Sequence, residues 1–64
     1  MEKYKVLQYF QWGKLNLDKG QIIIISDFDD VRVMVSVDHY PEKNQLVSSG
    51  AVEGMIFLKK IERY

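Results

Sequence analysis

A single histidine and the absence of cysteine set the chemical limits of this 64-residue chain. Nucleophilic catalysis needs an activated Ser, Cys or Lys beside a base that is itself held in place. His39 follows Asp38, but neighbours on a strand point apart, and Ser48-Ser49-Gly50 lacks the strand-to-helix setting of a nucleophile elbow. His39 therefore reads as an exposed loop residue. Asp27-Phe28-Asp29-Asp30 begins as calcium loops do and then departs from them. Val31 and Arg32 stand where an oxygen ligand and the turn glycine belong, although Asp38 falls at the twelfth position. Aspartate is a common turn former, so a solvated turn is the simpler reading. Gly50-x-x-x-Gly54 is not followed by the Lys and Ser or Thr of a phosphate-binding loop. No catalytic, cofactor-binding or metal-ligating set is expected, and the chain reads as non-enzymatic.

What remains is surface chemistry. Nine Lys and Arg balance nine Asp and Glu, but unevenly along the chain: residues 1–20 carry +2, residues 21–42 carry −4 and residues 43–64 carry +2. An acidic middle between basic ends steers a partner by its field, and it is also what solvated turns look like. Two contact surfaces follow. A protein partner, or a second copy, would meet the loop aromatics Trp12, Phe28 and Tyr40 beside Asp27, Asp29 and Asp30. Trp12 has a competing reading as core closure, because large rings supply much of a small core. A nucleic acid would meet Lys3, Lys5, Lys14, Lys59, Lys60 and Arg63, which converge if the first and last strands pair. Neutral net charge opposes that second surface.

The elements that must carry these residues are strands. Ile22 to Ile25 are four β-branched residues in a row, which pack well on a pleated surface and lose side-chain freedom in a helix. Successive residues of a strand point to opposite faces, so both faces of this one need cover, as in a central or sharply curved strand. Asp18-Lys19-Gly20 makes the turn before it, with Gly20 supplying positive φ. Val31 to Val37 alternates apolar and polar residues and pairs back on the isoleucines as a hairpin. Residues 3–12 read as a first strand with a bend near Gln8, and Trp12-Gly13-Lys14 as a loop. Asp38 to Gln45 holds the only proline and reads as a mobile loop. Leu46 to Val52 reads as a short strand, and Met55 to Ile61 as a strand or a strand followed by a single helical turn. No segment shows ten or more residues at helical spacing.

These residues resemble the Src-homology 3 (SH3) family. Val6-Leu7-Gln8-Tyr9-Phe10 sits where that family has Ala-Leu-Tyr-Asp-Tyr. LNLDKGQII is similar to its Leu-x-Phe-x-Lys-Gly-Asp-x-Ile, with Lys19-Gly20 matching and Gln21 replacing the acid. Gly50, then Gly54-Met55-Ile56 running to Ile61, resembles its Gly-x-x-Gly-x-Ile-Pro-Ser-Asn-Tyr-Val ending. Small SH3-like proteins of phages and prophages share the Lys-Gly turn and a start like Tyr4 to Leu7. The resemblance implies an all-β, five-stranded SH3-like barrel in a single domain, residues 1–64. It does not carry the family's proline-rich ligand. Gln8, Phe57, Lys59 and Lys60 replace a tyrosine, the proline, the asparagine and the last tyrosine, no tryptophan occurs near Val31 to Val33, and Phe10 alone keeps a groove aromatic.

A chain this short buries only roughly 60% of the surface its unfolded form exposes, and no disulfide supplements its core. No apolar run approaches the ~18 residues of a membrane span and no secretory signal is read at the N-terminus, so a soluble cytoplasmic protein is expected.

Overall fold

A computed structural model describes residues 2–64. The elements follow in the order β1 (Glu2–Val6), β2 (Phe10–Trp12), β3 (Leu15–Leu17), β4 (Ile22–Asp27), β5 (Arg32–Val37), β6 (Tyr40–Ser48), α1 (Ser49–Phe57) and β7 (Ile61–Arg63). Five strands form one antiparallel sheet ordered β6-β5-β4-β1-β7, and β2 pairs with β3 as a separate hairpin.

The isoleucine strand is central, as its composition predicts. β4 is paired along both edges, so that Ile23 lies between Tyr4 and Val37, and Ile25 between Glu2 and Val35. Ile23 and Ile25 are buried with Val33, Val35 and Val37 of β5, while Val31, just outside the strand, is exposed. Ile22 and Ile24 point to the other face, where they are half-buried opposite Lys5 and Lys3. Lysine stems cover apolar surface while their ammonium groups stay in water, which is how a strand apolar on both faces tolerates a solvent side.

The hairpin closes the inner face. Phe10, Trp12, Leu15 and Leu17 are all buried, and Gln11 and Asn16 between them point outward. Phe10 and Trp12 stand 5.8 Å apart, centroid to centroid, in a tilted pair. The bend expected near Gln8 is a break between β1 and β2, held by the Leu7 N–H donating to the Lys60 carbonyl at 2.8 Å. Every fully buried side chain is apolar or aromatic, and no buried polar side-chain atom lacks a partner among the described residues.

Three expectations need correction. The sheet does not close into a five-stranded barrel: among the described residues no ladder joins β6 to β7, and the β2–β3 hairpin covers the open side instead. Its link to β6 is a side chain, the Lys14 N–H donating to Gln45 Oε1 at 2.9 Å. Residues 38–45 are not a loop. Asp38 and His39 make the turn, with His39 at φ 71°, and β6 runs from Tyr40. The proline acts locally: between the pairs Val37↔Tyr40 and Ser36↔Asn44, Pro41 to Lys43 bulge out of register, and Asn44 Nδ2 donates to the Pro41 carbonyl at 2.9 Å across the bulge. A residue without an N–H belongs at such a point on an edge strand.

The third correction concerns residues 46–61. β6 extends to Ser48, and Ser49–Phe57 is helical where two strands were expected. Its apolar residues lie on more than one side, with only Val52 buried and Ala51 and Met55 packed partly against the core, so helical periodicity is faint. Two of its nine residues, Gly50 and Gly54, are also poor helix formers. Tertiary anchoring at both ends compensates. The Ser49 N–H donates to the Val31 carbonyl at 2.9 Å. At the other end the Lys60 N–H donates to Met55 O at 2.9 Å and the Lys59 N–H to Ile56 O at 3.0 Å, the paired bonds of a Schellman closure.

Two glycines turn the chain in the left-handed region, Gly13 at φ 61° and Gly20 at φ 93°, and they differ in their surroundings. A Cβ at Gly20 would meet nothing within 4 Å, whereas one at Gly13 would stand 2.6 Å from Gln45 Cδ. Gly20→Ala should therefore cost about 1 kcal/mol of backbone strain, lowering the unfolding temperature by roughly 4–8 °C. Gly13→Ala adds the displacement of Gln45 from the hairpin and should cost about 2–3 kcal/mol. Thermal unfolding of the two variants side by side checks the ranking.

Candidate interaction surface

The acidic turn between β4 and β5 is built by one of its aspartates. Asp29 Oδ1 accepts from the N–H groups of Val31 (2.9 Å) and Arg32 (2.7 Å), and its Oδ2 accepts from Arg32 Nε (2.9 Å) and Nη2 (2.8 Å). These bonds hold the Asp29 carboxyl below the usual carboxylate range, the Val31 amide contributing most and the Arg32 side chain next. Asp29 is thus a turn former with both oxygens engaged. Asp27 and Asp30 make no ion pair or side-chain hydrogen bond among the described residues, and both are exposed.

The loop aromatics do not come together. Trp12 is buried in the hairpin, which satisfies the core-closure reading. Phe28 lies in the β4–β5 turn and Tyr40 at the start of β6, at opposite ends of β5. Each exposed ring has a cation of its own over it: Arg32 stands 5.3 Å from the Phe28 centroid and Lys43 5.6 Å from that of Tyr40. Phe10, the one groove aromatic retained in the sequence, is buried with Lys60 5.3 Å from its ring.

The basic residues are divided as well. β1 and β7 do pair, as the convergence required, with Tyr4 opposite Arg63 and Lys5 opposite Glu62. Strand alternation then separates them. Lys3 and Lys5 occupy the outer face, while Arg63 shares Tyr4's side, 5.8 Å over its ring and 3.3 Å from Glu2. Lys3 approaches Asp38 at 3.7 Å. Lys14 stands at the hairpin turn, and Lys59 follows the helix with no ion pair among the described residues.

His39 is exposed in its turn, with Nε2 3.7 Å from Asp38 Oδ2. The two neighbours approach because they occupy a turn, where strand alternation does not apply. Among the described residues no serine hydroxyl bonds to His39 or to a carboxylate, and no three His, Asp or Glu side chains converge as a cation site. Among the described residues no helix is long and apolar enough to cross a membrane.

A different surface emerges at the end of α1. Ile56, Phe57 and Leu58 are 41%, 85% and 56% exposed in direct succession. The helix turns Val52, Ala51 and Met55 inward, which leaves Phe57 on the outward side with Gly50 and Glu53. Among the described residues no cation covers Phe57, unlike Phe28 and Tyr40. The signal was in the sequence as four consecutive apolar residues, Met55 to Leu58, which no helix or one-sided strand buries together. Beside this face a cleft of about 370 Å³ opens between α1 and the sheet, floored by Ile25, Val33 and Val52 and rimmed by Glu2, Asp27 and Glu53. Glu2 is compensated: the Tyr4 hydroxyl donates to it at 2.7 Å and Arg63 adjoins it, and together they lower its pKa while that of Tyr4 rises. Asp27 and Glu53 remain uncompensated among the described residues.

Comparison of the chain with protein-family models, with curated proteins and with solved structures gives no match.

Lys59 follows the helix at φ 58°, the position of the closure where glycine is usual. Lys59→Gly should stabilise the fold by about 1 kcal/mol, read as a rise in unfolding temperature, because it removes left-handed strain. The lowered pKa of Asp29 makes stability depend on pH. A carboxyl with a folded pKa below its unfolded one contributes stability above about pH 4, and loses it as pH falls through the folded value. The gap in unfolding temperature between the wild type and Asp29→Asn should shrink as pH is lowered from 6 to about 2. A gap that stays constant would remove the carboxylate charge from the explanation.

Proposed function

We propose that this chain is a non-enzymatic, SH3-like interaction module or assembly subunit, resembling those of phages and prophages, and that its contact surface is the exposed end of α1. The SH3-like part is supported by the mostly antiparallel β architecture and by the Lys19-Gly20 turn leading into β4, while the Gly54-Met55-Ile56 likeness falls within α1 rather than in a strand. A proline-rich peptide is not the ligand we propose: Phe10 and Trp12 are buried, and the exposed rings of Phe28 and Tyr40 stand at opposite ends of β5.

One observation carries the reading. Three large apolar side chains stand in succession on a surface where every other element buries its apolar residues or leaves them single. Exposed apolar side chains gathered at one end of an element mark contact surfaces, and an exposed aromatic side chain among them is the usual energetic anchor. The nucleic-acid alternative has no comparable support, since its six basic residues are spread over both faces of the sheet and the hairpin turn.

The test is cross-linking capture from a lysate of the source cell with wild-type chain and with Phe57→Ser as baits. At 85% exposure, Phe57 can be replaced at a cost within about 0.5 kcal/mol, so the variant stays folded. The wild type should return a stoichiometric partner, or further copies of itself, and the variant should lose it. Equal recovery by the two baits, or none by either, would overturn the assignment of this surface.

A further inference from the structure

The outward side of α1 is complementary to itself. Its C-terminal end carries Phe57, 85% exposed, and then Lys59, which has no ion pair among the described residues. Its N-terminal end carries Gly50, with only Ser48 Oγ, at 3.9 Å, near the place of a Cβ. The Ser49-to-Val31 hydrogen bond fastens that end to the acidic turn, where Asp27 and Asp30 are uncompensated. One end of the helix is thus apolar and basic and the other is flat and acidic, with the exposed Glu53 between them. A helix of nine residues is about 13 Å long, so the two ends lie within reach of a single facing helix.

We infer that the occupant of this surface is a second copy of the chain, with the two α1 helices packed antiparallel across a twofold axis, Phe57 of each over Gly50 of the other and Lys59 of each facing the partner's acidic turn. The inference rests on the proposed contact surface and names what covers it. Antiparallel packing is the arrangement in which both complementary contacts form at once, and twofold self-complementarity is the commonest way in which identical chains associate; it also brings the two exposed Glu53 carboxylates near the axis, a like-charge contact that weakens the dimer. It also sets the helix dipoles antiparallel, the N-terminus of each beside the C-terminus of the other. Among the described residues nothing requires glycine at position 50, where a side chain would meet only ordinary contact. In the dimer that position receives a ring. The contact is small, since nine helical residues supply little of the ~800 Å² per partner typical of a stable interface, so dimerisation is weak and depends on concentration.

Sedimentation of the purified chain from about 10 µM to 1 mM tests this. The wild type should shift from monomer to dimer with nothing larger, and added salt should weaken the dimer. Phe57→Ser should raise the dissociation constant by about tenfold or more. Lys59→Glu and Asp30→Lys should each raise it by roughly threefold, and the double variant should restore it. Gly50→Gln separates packing from folding, because it should raise the unfolding temperature through helix propensity while weakening the dimer. A chain that stays monomeric at 1 mM, one that forms open-ended oligomers, a dimer indifferent to Phe57→Ser, or charge reversals that fail to rescue each other would overturn the inference. Capture that depends on Phe57 while the pure chain stays monomeric would overturn the second copy as occupant and leave the contact surface standing.

Discussion

Pairing of β4 along both of its edges is the constraint from which the other features follow. Ile23 and Ile25 contribute to the core, and the same backbone is held between β1 and β5 by two ladders. Burying an aliphatic side chain of this size is worth about 1.5–3 kcal/mol, and a one-residue slip of register would exchange buried Ile23 and Ile25 for half-buried Ile22 and Ile24. In a chain without cysteine such a slip has no covalent bar, so the valines of β5 and the lysine stems of β1 fix the register through the faces they offer. With β4 settled, β1 brings β7 to the edge, and the break after Val6 sends the β2–β3 hairpin back over the open side.

The strands that pack on β4 were the legible part of the fold. Runs of β-branched residues, strict alternation in β5 and the glycine turn at Asp18 to Gly20 each state a local preference that the packing then satisfies. β6 was hidden because proline and charged residues speak for a loop. In an edge strand those residues are tolerated by a bulge at Pro41 to Lys43, and they discourage pairing with other chains. α1 was hidden because its apolar side chains serve two purposes, Val52 and Met55 inward and Phe57 outward, which erases the one-sided pattern that announces a helix. Its existence depends on anchors far away in sequence, such as the Val31 carbonyl, that no local window contains.

The contact surface was legible in one respect and not in another. The acidic turn follows from the sequence and the pairing of the terminal strands is the condition it sets for a basic surface, but residue type does not say which ring is already covered. Trp12 went to the core, and Phe28 and Tyr40 acquired cations from their own turns. The basic set failed for a geometric reason: odd and even positions of β1 and β7 face opposite ways. Phe57 falls where the SH3 likeness has its proline, and its exposure follows from the helix that turns Val52 and Met55 inward, which local sequence does not announce.

Native-state hydrogen exchange tests the primacy of β4 most directly. If the doubly paired strand holds the fold, the amides of Ile23 to Ile25 and of their partners in β1 and β5 exchange only through global unfolding. Those of α1 and of the Pro41–Lys43 bulge then open earlier and exchange faster. Amides of α1 as protected as the global limit, with those of β4 exchanging ahead of them, would contradict the account.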